Sequence, residues 1–460
     1  MEHCNVNDSN LSQYQRENQA LADFVLDKYI YQDFSVNTPK ENKTKNVEFI
    51  VSPRCNLGCR YCYVHRHRKD IFGEECFNEE ATITNLKLFL KWLEKNRFNP
   101  SIEIFSGELL AQDIGYKVLE TIYEHFEKLE PLMRPASIVI PTNYTFMCKQ
   151  EAIDRVEAIR AKLNSIGIPL CLSASFDGKY MEDNRPYLHD LDVDLGGGVR
   201  DDAYYDRVFE YTAKTNGGLH PMLYSRGMED WPKNFDWFQQ KMEEYKIPWE
   251  AIYLLHVRNE EWTAEQIEAS NRFIEHLYAF IWEKVNHNPE HMAGFILKGG
   301  GFNLLAQPFT NCGRGLTCGI QGQFTVRLSD MMMYPCHRLG YKDFWFGRMV
   351  PDEENILRYE NYNAELLIAT YSLSKKGMPL CAQCPINHLC SGCCLGAQYE
   401  ATQNFMAPIP TICALQHANI VTGMKCLKKY GAWKYLLETM DQEKKNQFEY
   451  LEERINASEI

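Results

Sequence analysis

The chain has 460 residues, 45% of them hydrophobic and 13% aromatic, enough apolar side chain for one large core with appendages or for two domains. Its formal charge of −13 argues against a nucleic-acid footprint and leaves neutral or basic partners. No stretch reaches the ~20 uninterrupted apolar residues that span a bilayer, and Met1 to Asp8 has neither the basic start nor the apolar core of an export signal, so the expected compartment is the cytoplasm.

Residues 1–46 are polar, with one helical pattern from Leu21 to Tyr31 and a Pro/Lys/Asn-rich linker from Asn37. Apolar, β-rich runs then alternate with amphipathic stretches. The spacing predicts strands over 47–52, 101–105, 136–141, 169–175, 219–224 and 250–255. Helices are predicted near 79–96, 113–130, 149–165, 202–214, 234–245 and 263–286. Repeated βα units at this spacing predict a parallel sheet curled into a partial barrel over 47–260, with functional side chains at the C-terminal strand ends. Residues 261–310 read as a bridging helical segment. From about residue 290, Gly299-Gly300-Gly301 and Cys312-Gly313-Arg314-Gly315 break the helical pattern, so the cysteine-rich part, 311–425, is expected to lack a core of its own unless metal ties it together. A charged, amphipathic pattern from about 412 to 455 reads as one helix, which makes 426–460 a C-terminal helical segment.

Cysteine is the outlier, at 17 residues. In reducing surroundings clustered thiols bind metal. Cys55, Cys59 and Cys62 follow the first strand with three and then two residues between them. Three thiolates hold three corners of a cubane and leave one iron open to a non-protein ligand. The competing reading is zinc, with His65 or His67 as a fourth ligand. Tyr61 is placed to lay its ring over a cluster ligand, or it is an ordinary packed tyrosine. At the end of the second strand, the small residues of Ser106-Gly107-Glu108 admit a ligand to the backbone and the carboxylate can receive an ammonium group; a polar turn explains the run equally well. Ser173 to Gly178, followed by Asp183-Asn184-Arg185, suits a ribose or amino-acid moiety, with a capped turn as the alternative. Further on, Cys312, Cys318, Cys336, Cys381, Cys384, Cys390, Cys394 and Cys413 are enough for two fully ligated cubanes or two zinc sites. Cys4, Cys76, Cys148, Cys171, Cys393 and Cys426 remain and are expected as buried small apolar side chains.

Together these motifs resemble the radical S-adenosylmethionine (SAM) enzymes that carry a SPASM domain. The resemblance covers about residues 47–425. It rests on Cys55, Cys59 and Cys62, a GGEP-like turn at Ser106-Gly107-Glu108-Leu109, a TNG-like turn at Thr142-Asn143-Tyr144 and an SxDG-like turn at Ser175-Phe176-Asp177-Gly178, all in the family's order. It implies an α/β fold, a partial (β/α)6 TIM-like barrel followed by a cysteine-rich iron–sulfur SPASM domain. It also implies an oxidoreductase that cleaves SAM at the open iron to a 5′-deoxyadenosyl radical. By the same resemblance Ser106, Gly107 and Glu108 hold the methionine ammonium, Ser175 contacts SAM near its ribose or carboxylate, Tyr61 sits by the adenine, and Asn143 and Arg185 are further contacts.

Three [4Fe-4S] clusters are implied: one on Cys55, Cys59 and Cys62, and two auxiliary, on Cys312, Cys318, Cys336 and Cys394 and on Cys381, Cys384, Cys390 and Cys413. The implied partners are a peptide or protein substrate and an electron donor such as flavodoxin or ferredoxin, with no nucleic acid and no membrane. The expected reaction is a thioether or carbon–carbon crosslink in a ribosomally made peptide. Formylglycine formation in a sulfatase is the alternative, and a non-catalytic zinc scaffold the reading from another class. Two positions depart from the pattern. Tyr144 replaces a glycine and needs a positive φ if the turn demands one. His337 stands where anaerobic sulfatase maturases place an Asp; imidazole accepts a proton near neutrality, which makes His337 the candidate catalytic base.

Overall fold

Strand β2 (Ser101–Phe105) shows how the chain divides its side chains. Ile102 and Ile104 are fully buried in one core with the helices, while Ser101, Glu103 and Phe105 lie half-buried on the opposite face. The same alternation runs through β3 (Ser137–Thr142) and β4 (Leu170–Ala174). These strands and β1 (Asn46–Ile50) pair in parallel in the order β1-β2-β3-β4. Leu219 then bridges both Ala174 and Ile252 in parallel, and β5 (Met222–Leu223) pairs with β6 (Leu255–His256), so the sheet curls on through six parallel strands. The structure is a computed structural model that describes residues 46–67, 71, 77–95, 101–188, 198–298, 302–310, 323–363, 365, 366, 369, 370, 373, 377–390, 392 and 394–458.

Between and after the strands run α1 (Glu79–Lys95), α2 (Asp113–Phe126), α3 (Gln150–Ser165), α4 (Asp202–Thr215), α5 (Trp231–Glu244) and α6 (Ala264–Lys284). Sequence signals set their starts. Asp201 caps α4 by accepting from Tyr204 N at 2.9 Å, and Thr263 with Gln266 forms a capping box on α6. Among the described residues no helix is long and apolar enough to cross a membrane.

The C-terminal part corrects two expectations. After α7 (Pro289–Lys298) and α8 (Asn303–Thr310), β7 (Gln323–Arg327) pairs in parallel with β1, from Asn46 opposite Gln323 to Ile50 opposite Arg327. Strands β8 (Met332–Tyr334), β9 (Gly347–Pro351) and β10 (Leu357–Asn361) extend the same sheet antiparallel. The cysteine-rich part therefore borrows the barrel's sheet instead of depending on metal alone for a core. The single helix expected over 412–455 is three, α10 (Pro410–Lys429), α11 (Trp433–Thr439) and α12 (Gln442–Ser458), preceded by the short α9 (Leu395–Thr402). Gly431, at φ +71°, ends the first of the three and extended Met440 the second, which folds α11 back onto α7. The boundary expected at 425/426 thus falls inside α10.

Tyr144 has the left-handed backbone its place in the turn requires, φ 60°. The leftover cysteines divide: Cys426 is buried and Cys148 half-buried, but Cys171 is exposed, because the alternation of β4 puts it on the face away from the helices. Cys4, Cys76 and Cys393 lie outside the described residues.

Candidate active site

The loop from Cys55 to Cys62 leaves the end of β1 and is held by three neighbouring strand ends. From β2, Gly107 N donates to Ser52 O at 2.7 Å and Glu108 N to Arg54 O at 2.8 Å. A Cβ on Gly107 would sit 2.2 Å from the Arg54 carbonyl oxygen, so only glycine allows this approach. The Ser106 hydroxyl donates to Ser52 O and the Gln112 amide to Arg54 O. From β3, Asn143 Nδ2 donates to Asn56 Oδ1 at 2.9 Å while Asn56 Nδ2 donates to Thr145 Oγ1 at 2.8 Å. Beyond β4, residues 184–188 run alongside the loop. Gly58 N donates to Pro186 O, Arg60 N to Asn184 O, and Leu188 N to Asn56 O, at 2.8–3.0 Å. Nothing in the sequence marked this last ladder.

The sulfurs it holds are crowded, with Cys59 buried and Cys55 and Cys62 half-buried. Burial, then the neighbouring Cys59, push the Cys55 thiol well up, and the same two causes push up Cys62. N–H groups nevertheless point at the sulfurs: Leu57 N at 3.4 Å and Asn143 Nδ2 at 3.8 Å from Cys55 Sγ, and Arg185 Nε at 3.3 Å from Cys59 Sγ. A donor set of three soft sulfurs on one short loop, with N–H donors already aimed at Cys55 and Cys59, fits a cationic iron–sulfur group that takes up thiolates and releases their protons. Among the described residues no three Cys, His, Asp or Glu side chains converge on a point suited to one metal ion.

The expected SAM contacts gather round this loop. Glu108 is 2% exposed, and its carboxylate already accepts from Thr142 Oγ1 at 2.8 Å, Asn143 N at 2.6 Å and Leu110 N at 3.2 Å. Burial outweighs these bonds and raises its pKa to about 6. Of its roughly four acceptor positions one is left, so Glu108 first braces the β2 end to the β3 end. Tyr61 donates to Asp177 Oδ2 at 2.6 Å, its ring 5.4 Å from that of Tyr224. Asp177 also accepts from Met222 N at 3.0 Å. It had a sequence signal in the SxDG-like turn, yet its place as the anchor of Tyr61 and β5 is visible only in the fold. Ser175 N donates to Thr142 O, and the Ser175 carbonyl accepts from Arg185 Nη1.

His337 lies across β1. Its backbone N–H donates to Glu48 Oε2 at 2.8 Å, its Nδ1 bonds Glu48 Oε1, and its ring stacks on Phe105 with centroids 4.3 Å apart. Glu48 is 1% exposed and also accepts from Thr325. Burial alone would lower the His337 pKa; the Glu48 charge and bond outweigh it, leaving His337 raised and Glu48 lowered. The Glu48 carboxylate thus faces the imidazole directly, and the pair ties His337 to the middle of β1. The signal for Glu48 was a lone charge inside an apolar strand. Of the C-terminal cysteines, buried Cys336 precedes His337, and Cys394 is close enough to His337 and Arg338 to raise both. Gly392 N donates to Cys390 Sγ at 3.3 Å, Cys384 N to Cys381 O at 3.2 Å, and Cys413 is exposed in the first turn of α10. Cys312 and Cys318 lie outside the described residues.

No protein-family model and no curated protein matches this sequence. Solved structures do. The chain is similar to histidine-tagged anSMEcpe with bound AdoMet at a TM-score of 0.53 and 16% identity, over 88% of this chain and 98% of that one. Native anSMEcpe with bound AdoMet and Cp18Cys peptide gives 0.50 at 16% identity, over 86% and 99%. Streptococcus suis SuiB bound to S-adenosylmethionine gives 0.44 at 13% identity, over 90% and 83%. The likeness to anSMEcpe, an anaerobic sulfatase-maturating enzyme, is one of fold along nearly the whole chain, and it bears out the fold and the resemblance read from the motifs.

Proposed function

We propose that this chain, built on the fold of a maturase solved with AdoMet, is a radical SAM enzyme that takes a hydrogen atom from a residue of a peptide substrate. The observation that carries the reading is the loop of three crowded thiols, each at the C-terminal end of a parallel sheet, with N–H donors already aimed at Cys55 and Cys59. Bound there, a [4Fe-4S] cluster supplies the single electron that splits SAM into methionine and a 5′-deoxyadenosyl radical. Cys55, Cys59 and Cys62 are the ligands. Ser106, Gly107 and the remaining acceptor position of Glu108 take the methionine ammonium, Ser175 and Arg185 its carboxylate or ribose, and Tyr61 the adenine, with Asn143 holding the loop.

Cys312, Cys318, Cys336 and Cys394, and Cys381, Cys384, Cys390 and Cys413, would hold two auxiliary clusters, whose chemistry would be electron transfer. The partners are the peptide and a low-potential flavodoxin or ferredoxin in a reducing cytoplasm. Among reactions, a thioether or carbon–carbon crosslink in a ribosomally made peptide is the first reading. Formylglycine formation in a sulfatase is the second: the anSMEcpe fold favours it, and His337 in place of Asp weighs against it.

Anaerobic reconstitution tests the reading. The expected protein is brown, carries about 12 iron atoms, and with dithionite and SAM yields 5′-deoxyadenosine. Cys55→Ala, Cys59→Ala and Cys62→Ala each abolish that product and leave about 8 iron atoms. A colourless protein holding zinc, or undiminished 5′-deoxyadenosine from the cysteine variants, would falsify it.

A further inference from the structure

Arg185 is a charged side chain only 8% exposed, and its position is fixed from several directions. Its backbone lies in the ladder along the cysteine loop, and Arg200 Nη2 donates to its carbonyl at 2.7 Å. Its guanidinium reaches three groups: Nε donates to Cys59 Sγ at 3.3 Å, Nη1 donates to the Ser175 carbonyl, and Asp177 Oδ1 lies 3.9 Å from Nη1. Cys55, by contrast, is met only by the neutral N–H groups of Leu57 and Asn143 among the described residues. A buried arginine is costly to desolvate and is kept where its charge acts on something.

We infer that Arg185 tunes the first cluster: its Nε–H···Sγ bond to Cys59 raises the cluster's reduction potential and so eases entry of the electron that cleaves SAM. The inference rests on the radical SAM reading and adds to it a role that does not depend on Arg185 touching SAM. A cluster gains one negative charge on reduction, and that charge is shared by its sulfurs. A fixed cation hydrogen-bonded to one of them stabilises the reduced form more than the oxidised one, the more so in a site of low dielectric. Arginine suits the task because its charge does not titrate. The donor loses one electron and the cluster gains one; no bond is made or broken at Arg185 and no proton leaves it.

The test uses the full chain with all its clusters and no SAM, titrated against dithionite and followed by electron paramagnetic resonance. The signal to follow is the one that shifts when SAM is added afterwards. At a fixed poise Arg185→Met should lower the ratio of reduced to oxidised cluster about tenfold, which is ~59 mV for a one-electron couple. Arg185→Lys, which keeps the charge without the Nε fork, should fall between, and the auxiliary signals should not move. Unmoved potentials in both variants overturn the inference and leave Arg185 a SAM contact only, visible as a raised KM for SAM. A second measurement needs no variant. Wild-type protein grown with arginine carrying the heavy nitrogen isotope should show guanidinium hyperfine coupling to the reduced cluster, and its absence overturns the inference even where the variants lose iron. A wild-type chain with no SAM-responsive signal sinks the radical SAM reading itself, whereas a wild-type signal with unmoved variants sinks this inference alone.

Discussion

Gly107 shows how much of the candidate site depends on a missing atom. Its backbone passes so close to the Ser52–Arg54 segment that a Cβ would meet the Arg54 carbonyl oxygen at 2.2 Å. That oxygen is main chain, one residue from Cys55, so it can give way only by moving the cysteine loop. Overpacking of this kind costs about 1–3 kcal/mol, and here the displacement falls on a cluster ligand. Gly107→Ala should therefore leave the chain folded but short of the first cluster, with iron falling from about 12 to about 8 per chain and the SAM-responsive signal lost. Full iron loading in that variant would show that the turn has slack the structure does not suggest. Glu108 belongs to the same scale. The sequence marks it as a carboxylate free to receive an ammonium group, but three protein donors have claimed most of its acceptor capacity.

Strands and helices are tied to one another by a few buried polar side chains. His256 ends β6, and its Nε2 lies 3.0 Å from Ser270 Oγ on α6, which in turn lies 3.3 Å from Asn419 Oδ1 on α10. Burial, and after it the charge of Arg258, lower the His256 pKa from 6.5 to about 3. In the unfolded chain this residue takes a proton as the pH falls through 6.5, while in the folded chain it stays neutral almost to 3. Protons therefore favour the unfolded state, and stability is lost as the pH falls below 6.5. By about pH 5.5 the loss amounts to ~1.4 kcal/mol relative to His256→Gln, which cannot take up the proton. Denaturant melts of the two proteins at several pH values measure it; parallel curves would mean that His256 is not held neutral.

At the scale of the whole molecule, the sheet is what joins the barrel to the cysteine-rich part. Val326 in β7 is fully buried, opposite Phe49 of β1 on one side and Met333 of β8 on the other. Proline at a central strand position removes a ladder donor and does not fit between two partners. Val326→Pro should cost about 2–4 kcal/mol in lost packing and hydrogen bonding. That loss should be concentrated where β7 meets β1, so limited proteolysis is expected to cut the part from β7 onward faster while the barrel fragment persists. A variant as resistant as the wild type would mean that α6 and α10, which also pack together, are enough to dock the two parts.

The sequence by itself determined the six βα units, the cysteine loop and the three turns, because hydrophobic period and turn chemistry are local properties that one strand or helix displays alone. Tyr144 belongs with these: its positive φ follows from its place in a turn. Only the tertiary structure decided what those turns grip. The pairing of residues 184–188 with the cysteine loop, the Arg185 contact with Cys59 across 126 positions, and the Glu48 bond to His337 across 289 join residues with no periodic relation to one another. Whether a carboxylate, an imidazole or a guanidinium is free for chemistry depends on such long-range partners, and a chain read from end to end does not contain them.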